Sequence, residues 1–200
     1  MEQVKVTRKK RITTGSLVKI GMLGAVSIVL MMFKMALPIF PFFLKLDISD
    51  LPALIGSVAM GPVAGVLIEL IKNVLHLFKT STAGVGEVAN FLVGSALVVP
   101  IGICYKKRSD LKGFVVGAIL GTISMVIVAC VFNYYVLIPV YSTVFGIPIE
   151  ELVNMVKAVN ENVVDLKTMV VFAIAPFNML KATLVAIIGY PVCKLLARVL

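Results

Sequence analysis

LPALIGSVAMGPVAGVLIELIKNVLHLF, residues 51–78, decides the fold. Taken as one span, it would make the chain cross a membrane three times before the basic loop Lys106–Lys112. That loop would then lie opposite the basic N-terminus, against the tendency of Lys and Arg to stay on the cytoplasmic side. Splitting the run at Gly61–Pro62 restores agreement. Pro is tolerated in the first turn of a helix, and the Gly before it can end one. The expectation is a short helix over Asp50–Met60 and a longer one over Pro62–Phe78. The first would be only about 16 Å long at about 1.5 Å per residue. It cannot cross a hydrocarbon core of about 30 Å without support from neighbouring segments.

Outward from this stretch lie four further apolar runs: Ser16–Leu37, Val88–Tyr105, Phe114–Tyr141 and Met169–Leu200. The composition agrees, with 60% hydrophobic and 14% charged residues in a 200-residue chain of mean hydropathy +1.07. A soluble domain carries about a quarter charged residues. The chain reads as an all-α integral membrane protein, a bundle of six transmembrane helices in a single domain over residues 1–200. Both termini are expected in the cytoplasm, with a basic N-terminal segment over 1–15. Residues 38–50 and 142–167 become external loops, and Ile149–Val159 has the spacing of an interfacial helix.

The net charge of +9 sits in short flanks of the apolar runs. Lys5, Arg8, Lys9, Lys10, Arg11 and Lys19 lie in the first nineteen residues, Lys106, Lys107, Arg108 and Lys112 flank one loop, and Lys194 and Arg198 lie near the end. This is a topology signal rather than a nucleic-acid groove. The first run is too long for a signal-peptide core and lacks an Ala-x-Ala site. Cys104, Cys130 and Cys193 lie far apart without metal-ligand spacing, and read as small apolar helix residues. No metal site is expected.

Polar groups inside spans need partners or a wet cavity. Glu69, Lys72, Asn73 and His76 share one helix face. They form either an internal ion pair that fixes packing or part of a ligand site. Glu87 opens a span, where capping and the helix dipole account for it. Asn90, three residues deeper, takes either a ligand or an interhelical role. Asn133 stands beside Tyr134 and Tyr135. Asn178 and Lys181 are one turn apart after Pro176, where an irregular helix start is expected. Lys181 reads as an unpaired ammonium well inside a span. With Phe40, Phe42, Phe43, Lys45, Asp47 and Asp50 of the preceding loop, these groups describe an outward-open pocket with aromatic walls. It suits a flat heteroaromatic molecule with a hydrogen-bonding edge.

The chain also resembles a known family. FFLKLDISDLPAL (42–54), GPVAG (61–65), ELIKNVL (69–75), GEVANF (86–91), NYY (133–135) and APFNMLK (175–181) occur in order. Together they resemble the riboflavin-specific S component of energy-coupling factor (ECF) transporters. The resemblance implies a multi-pass protein of the bacterial cell membrane that binds riboflavin from outside with high affinity. It implies a membrane-embedded coupling protein and two cytoplasmic ATPase subunits as partners, with no enzymatic activity or cofactor of its own. No Gly-x-x-x-x-Gly-Lys-[Ser/Thr] loop is present. By resemblance, Asn133, Asn178 and Lys181 hydrogen-bond the flavin. Leu44, Lys45, Asp47, Gly86, Glu87 and Asn90 match regions around it. Gly21 and Ala25 match a small-x-x-x-small pattern for the coupling protein, with Gly where Ala is usual.

Other readings remain at this stage. The chain could be an S component for another vitamin, or an ion or proton-coupled carrier using Glu69 and Lys72 as a relay. A membrane enzyme is poorly served, since a single His cannot build the usual catalytic cluster.

Overall fold

The computed structural model describes residues 13–41, 44–80 and 82–196. The basic residues Lys5, Arg8, Lys9, Lys10 and Arg11, together with Phe42, Phe43 and Arg198, lie outside the described residues. Within them are seven helices and one two-stranded hairpin. Helix α1 spans Thr14–Met32, followed by strands β1 (Met35–Ala36) and β2 (Lys45–Leu46). Next come α2 (Leu51–Met60), α3 (Pro62–His76) and α4 (Val85–Lys107). The chain ends in α5 (Leu111–Phe145), α6 (Ile149–Lys157) and α7 (Leu166–Leu196). Four of these, α1, α4, α5 and α7, are long and apolar enough to cross a membrane.

The break inside residues 51–78 falls at the expected place. Gly61 adopts φ +103°, a conformation that side chains disfavour, and Pro62 starts α3. The two helices fold back on each other tightly. A Cβ on Gly65 would stand 2.7 Å from Ser57 Cβ. Ser57 in turn donates its hydroxyl to Val98 O at 2.7 Å, tying α2 to α4.

Packing of α4 against α5 explains two of the three evenly spaced glycines of α5, and the third, Gly113, abuts the Arg108 backbone of the preceding turn. A Cβ at Gly117 would lie 2.7 Å from Ile101 Cα of α4, and one at Gly121 would lie 2.5 Å from Leu97 O. Backbones can approach this closely only where side chains are absent. Leu97, Ile101, Ile68, Leu54, Met125 and Ile174 are fully buried at the centre.

The structure departs from expectation in three places. The first run does not stay helical to Leu37. Helix α1 ends at Met32, and Met35–Ala36 pair antiparallel with Lys45–Leu46. Pro38 and Pro41 bias the residues before them away from helix and leave a hairpin as the local solution. Second, the run 114–141 extends to Leu111–Phe145 through a π-helical turn at Asn133–Leu137. Helix α7 carries a similar turn at Val170–Ile174, ending two residues before Pro176. Third, α6 is not merely laid on a surface. Leu152, Val153 and Val156 are buried in the bundle, while Glu150, Glu151 and Lys157 are exposed.

Helix ends are capped where they leave the bundle. Asp110 accepts from Gly113 N at 2.8 Å at the start of α5. Asp165 and Thr168 exchange bonds at the start of α7, with Thr168 N 2.7 Å from Asp165 Oδ1. These contacts hold both carboxyl groups, which lie in connections between helices, below the usual aspartate pKa range.

Candidate functional site

A cavity of about 430 Å³ opens where the hairpin, the α3–α4 connection and the α5–α6 corner meet. That volume lies within the range of small-molecule sites. The hairpin contributes Lys45, with Lys34 before it and Asp47 after it. His76 closes α3, Thr82 lies in the α3–α4 connection, and Gly86, Glu87 and Asn90 come from the start of α4. Leu137, Ile138, Tyr141, Phe145, Leu152 and Met169 form an apolar wall. Leu137 and Ile138 reach it from the π-helical turn of α5, whose extra residue re-aims the side chains beyond it.

Two polar assemblies border this cavity. In the first, Glu87 is a hub. Its Oε1 lies 2.7 Å from His76 Nδ1, and its Oε2 accepts from Thr80 Oγ1 at 3.0 Å and Thr82 Oγ1 at 2.9 Å. The other ring nitrogen, His76 Nε2, is 3.1 Å from Lys34 Nζ. Geometry therefore favours the tautomer with the proton on Nδ1, donating to Glu87, and Nε2 accepting from Lys34. Burial lowers the Lys34 pKa from the usual lysine value, an effect opposed by the charges of Asp47 and Glu87.

The second assembly lies deeper and crosses the bundle. Lys72 of α3 bonds Asp50 Oδ1 at 2.5 Å and Glu69 Oε2 at 2.6 Å. Lys181 of α7 bonds Asp50 Oδ2 at 3.0 Å and lies 3.5 Å from Asp47 Oδ1. The same Asp47 oxygen accepts from Ser49 N at 3.0 Å and from its hydroxyl at 2.5 Å. Glu69 and Lys72 are fully buried, as is Asp50. Gly94 of α4 makes room for the Glu69 carboxyl, since a Cβ there would come within 2.6 Å of Oε2. Asp47 thus joins the cavity to an ionic chain that reaches α3 and α7.

Five of the nine expected substrate residues line the cavity: Lys45, Asp47, Gly86, Glu87 and Asn90. Leu44 packs against the core instead. Asn133, Asn178 and Lys181 stand outside the lining, all buried. Each amide donates to its own helix, Asn133 Nδ2 to Ala129 O at 2.7 Å and Asn178 Nδ2 to Ile174 O at 2.8 Å. Their amide oxygens have no hydrogen bond within the described residues and remain available as acceptors. Asn90 Oδ1 is likewise a buried acceptor without a partner. Such groups are costly in an apolar interior unless something donates to them.

Two expectations change. Lys181 is not unpaired, because Asp50 and Asp47 of the hairpin–α2 segment reach it across the bundle. Glu87 does more than complement a helix dipole, since its carboxylate gathers His76, Thr80 and Thr82. Lys34, Thr82 and Tyr141 are cavity residues that the sequence left unremarked. Only the hairpin register, Ala36 opposite Lys45, brings Lys34 to the mouth. Asp50 is the N-cap residue of α2 but makes no side-chain cap bond, because its carboxylate is engaged by the two lysines. No group of metal-ligating side chains occurs among the described residues. On α1, Gly24 packs against Ile71, whereas Gly21 faces open space and Ala25 is exposed beside it.

Comparison with known proteins is consistent with this geometry. The family model for the ECF transporter, substrate-specific component, matches residues 15–193. The chain is 37% identical over 175 residues to the riboflavin transporter FmnP of Bacillus subtilis, covering 86% of each chain. It is 35% identical over 184 residues to the riboflavin transporter RibU of Staphylococcus aureus, covering 92% of this chain and 91% of that one. A solved S component of a bacterial ECF transporter superposes with a TM-score of 0.74 at 32% identity, covering 92% of this chain and 96% of that one. The chain belongs to the family of substrate-specific components of ECF transporters.

Proposed function

We propose that this protein is the riboflavin-binding and membrane-translocating subunit of an ATP-driven ECF uptake transporter in a bacterial cell membrane. The observation that carries the reading is the cavity that joins an apolar wall to Asp47, Glu87 and Asn90, in a chain similar to two riboflavin transporters. A flavin offers a flat apolar ring system, an edge of alternating donors and acceptors, and a hydroxylated tail. The acceptor oxygens of Asn90, Asn133 and Asn178 and the ammonium of Lys181 are suited to that edge. The Lys34–His76–Glu87 assembly supplies donors and acceptors for hydroxyls.

In this reading α2 and α3 complete six membrane-embedded helices with α1, α4, α5 and α7, and both termini lie in the cytoplasm. The basic 106–112 loop then shares a side with the basic N-terminus. The open face around Gly21 and Ala25 is the surface for a membrane-embedded coupling protein. ATP hydrolysis belongs to two separate cytoplasmic subunits. The test is purification of the protein alone. The flavin's own visible absorption and fluorescence, at wavelengths where the chain does not absorb, report binding. Co-purifying flavin, and quenching of added riboflavin at nanomolar concentration, are expected. Binding no tighter than micromolar would overturn the assignment.

A further inference from the structure

A second concavity of about 710 Å³ runs along the outside of the bundle between α5 and α7. Its walls include Val115, Ile119, Ile123 and Ile127 of α5 and Met179 and Ile187 of α7, all exposed. The hydroxyl of Thr183 within it is already bonded to Met179 O at 2.7 Å. From Leu111 to Ile127 the furrow is about 24 Å long at about 1.5 Å per residue. That exceeds one leaflet of a hydrocarbon core about 30 Å thick.

One end of this furrow is cationic. Phe114 and Tyr190 pack there with ring centroids 5.1 Å apart, so the start of α5 meets the end of α7. Lys112 precedes Val115 by three residues and Ile119 by seven, and Lys194 follows Tyr190 by four and Ile187 by seven. Both lysines therefore stand on the furrow's own faces, just beyond its end. Both are exposed, and neither forms a salt bridge or hydrogen bond among the described residues. The nearby Asp110 carboxylate is occupied by Arg108 Nε at 2.7 Å and Gly113 N at 2.8 Å.

We propose that this furrow binds one anionic glycerophospholipid, with an acyl chain along its length and the phosphate between Lys112 and Lys194. Charge complementarity selects this occupant. A choline headgroup would bring its own cation to two ammonium groups. A second copy of the chain related by an axis along the membrane normal would set the same lysines against each other. A bound acyl chain would cover the exposed isoleucines and bridge two helices that otherwise present a gap to the membrane.

The test is native mass spectrometry of the full chain extracted from bilayers holding equal amounts of phosphatidylglycerol and phosphatidylcholine. Retention of one phosphatidylglycerol, favoured roughly ten- to thirty-fold, is expected. Lys112→Glu with Lys194→Glu should abolish the preference while riboflavin quenching persists, since neither residue lines the cavity. Ile123→Trp, which fills the furrow and keeps both lysines, should also expel the lipid. Equal retention of the two lipids by the unaltered chain would overturn the proposal. So would a preference that survives the charge reversals, or a lipid retained by Ile123→Trp.

Discussion

Replacing Lys72 by Met tests whether the ionic chain beneath the cavity holds the bundle together. Lys72 sits with zero exposure between Asp50 and Glu69, at 2.5 and 2.6 Å. Counting formal charges, the assembly contains three carboxylates (Asp47, Asp50, Glu69) and two ammonium groups (Lys72, Lys181). Lys72→Met leaves three carboxylates facing one ammonium, and Glu69 loses its partner. Breaking a buried pair from one side costs about 3–5 kcal/mol. At about 2–4 °C per kcal/mol for a chain of this size, the apparent Tm should fall by roughly 10 °C. Asp50→Asn is the informative contrast. It leaves Lys72 with Glu69 and Lys181 with Asp47, two charges of each sign, and should lower Tm by less than half as much. Adding Glu69→Gln to Lys72→Met removes the stranded carboxylate and should restore most of the loss. Thermal unfolding of the four proteins in one detergent measures all of this. Equal losses for Lys72→Met and Asp50→Asn, or no recovery in the double variant, would refute the charge-balance reasoning.

Other expectations follow from single contacts. Gly94→Ala puts a methyl 2.6 Å from the Glu69 carboxylate and should destabilise by about 1–3 kcal/mol, read as a lower Tm. Gly61→Ala forces a side chain into φ +103° at the α2–α3 break and should cost about 1–2 kcal/mol, although a Cβ there meets no neighbour. Removing the Glu87 charge with Glu87→Gln disturbs the acceptor of His76, Thr80 and Thr82, and riboflavin affinity should fall about tenfold in a fluorescence titration. An unchanged affinity would exclude this assembly from the site. Asp110 has its pKa lowered by the Gly113 N–H and by Arg108. Its contribution is therefore present above the unfolded aspartate pKa and is lost as pH falls through the lower folded value. The protection of first-turn α5 amides, measured as exchange relative to the intrinsic rate at each pH, should fall in acid for the parent and show no such acid step in Asp110→Asn.

Much of this protein is legible along the chain because a bilayer constrains sequence so directly. Length and hydropathy mark α1, α4, α5 and α7, since each must satisfy its own backbone in lipid. Charge placement alone divides residues 51–78, and Gly61–Pro62 supplies the local chemistry for the break. The polar residues that turn out to be buried, Glu69, Lys72, Asn133, Asn178 and Lys181, are conspicuous for the same reason: each is expensive in an apolar run.

What the sequence does not determine is which of these groups meet. Asp50 reads as a polar group of the loop before α2, and its role as the bridge between Lys72 and Lys181 depends on how α2, α3 and α7 pack. A two-residue hairpin carries too few residues for periodicity to announce it, yet its register brings Lys34 to the cavity beside His76. The π-helical turns at 133–137 and 170–174 each end two residues before a proline, Pro139 or Pro176, so their place has a local cause, while the neighbours they meet depend on packing. Hydropathy is a property of segments and survives in one dimension. Partner choice among buried charges depends on distances between helices, and only the packed bundle decides it.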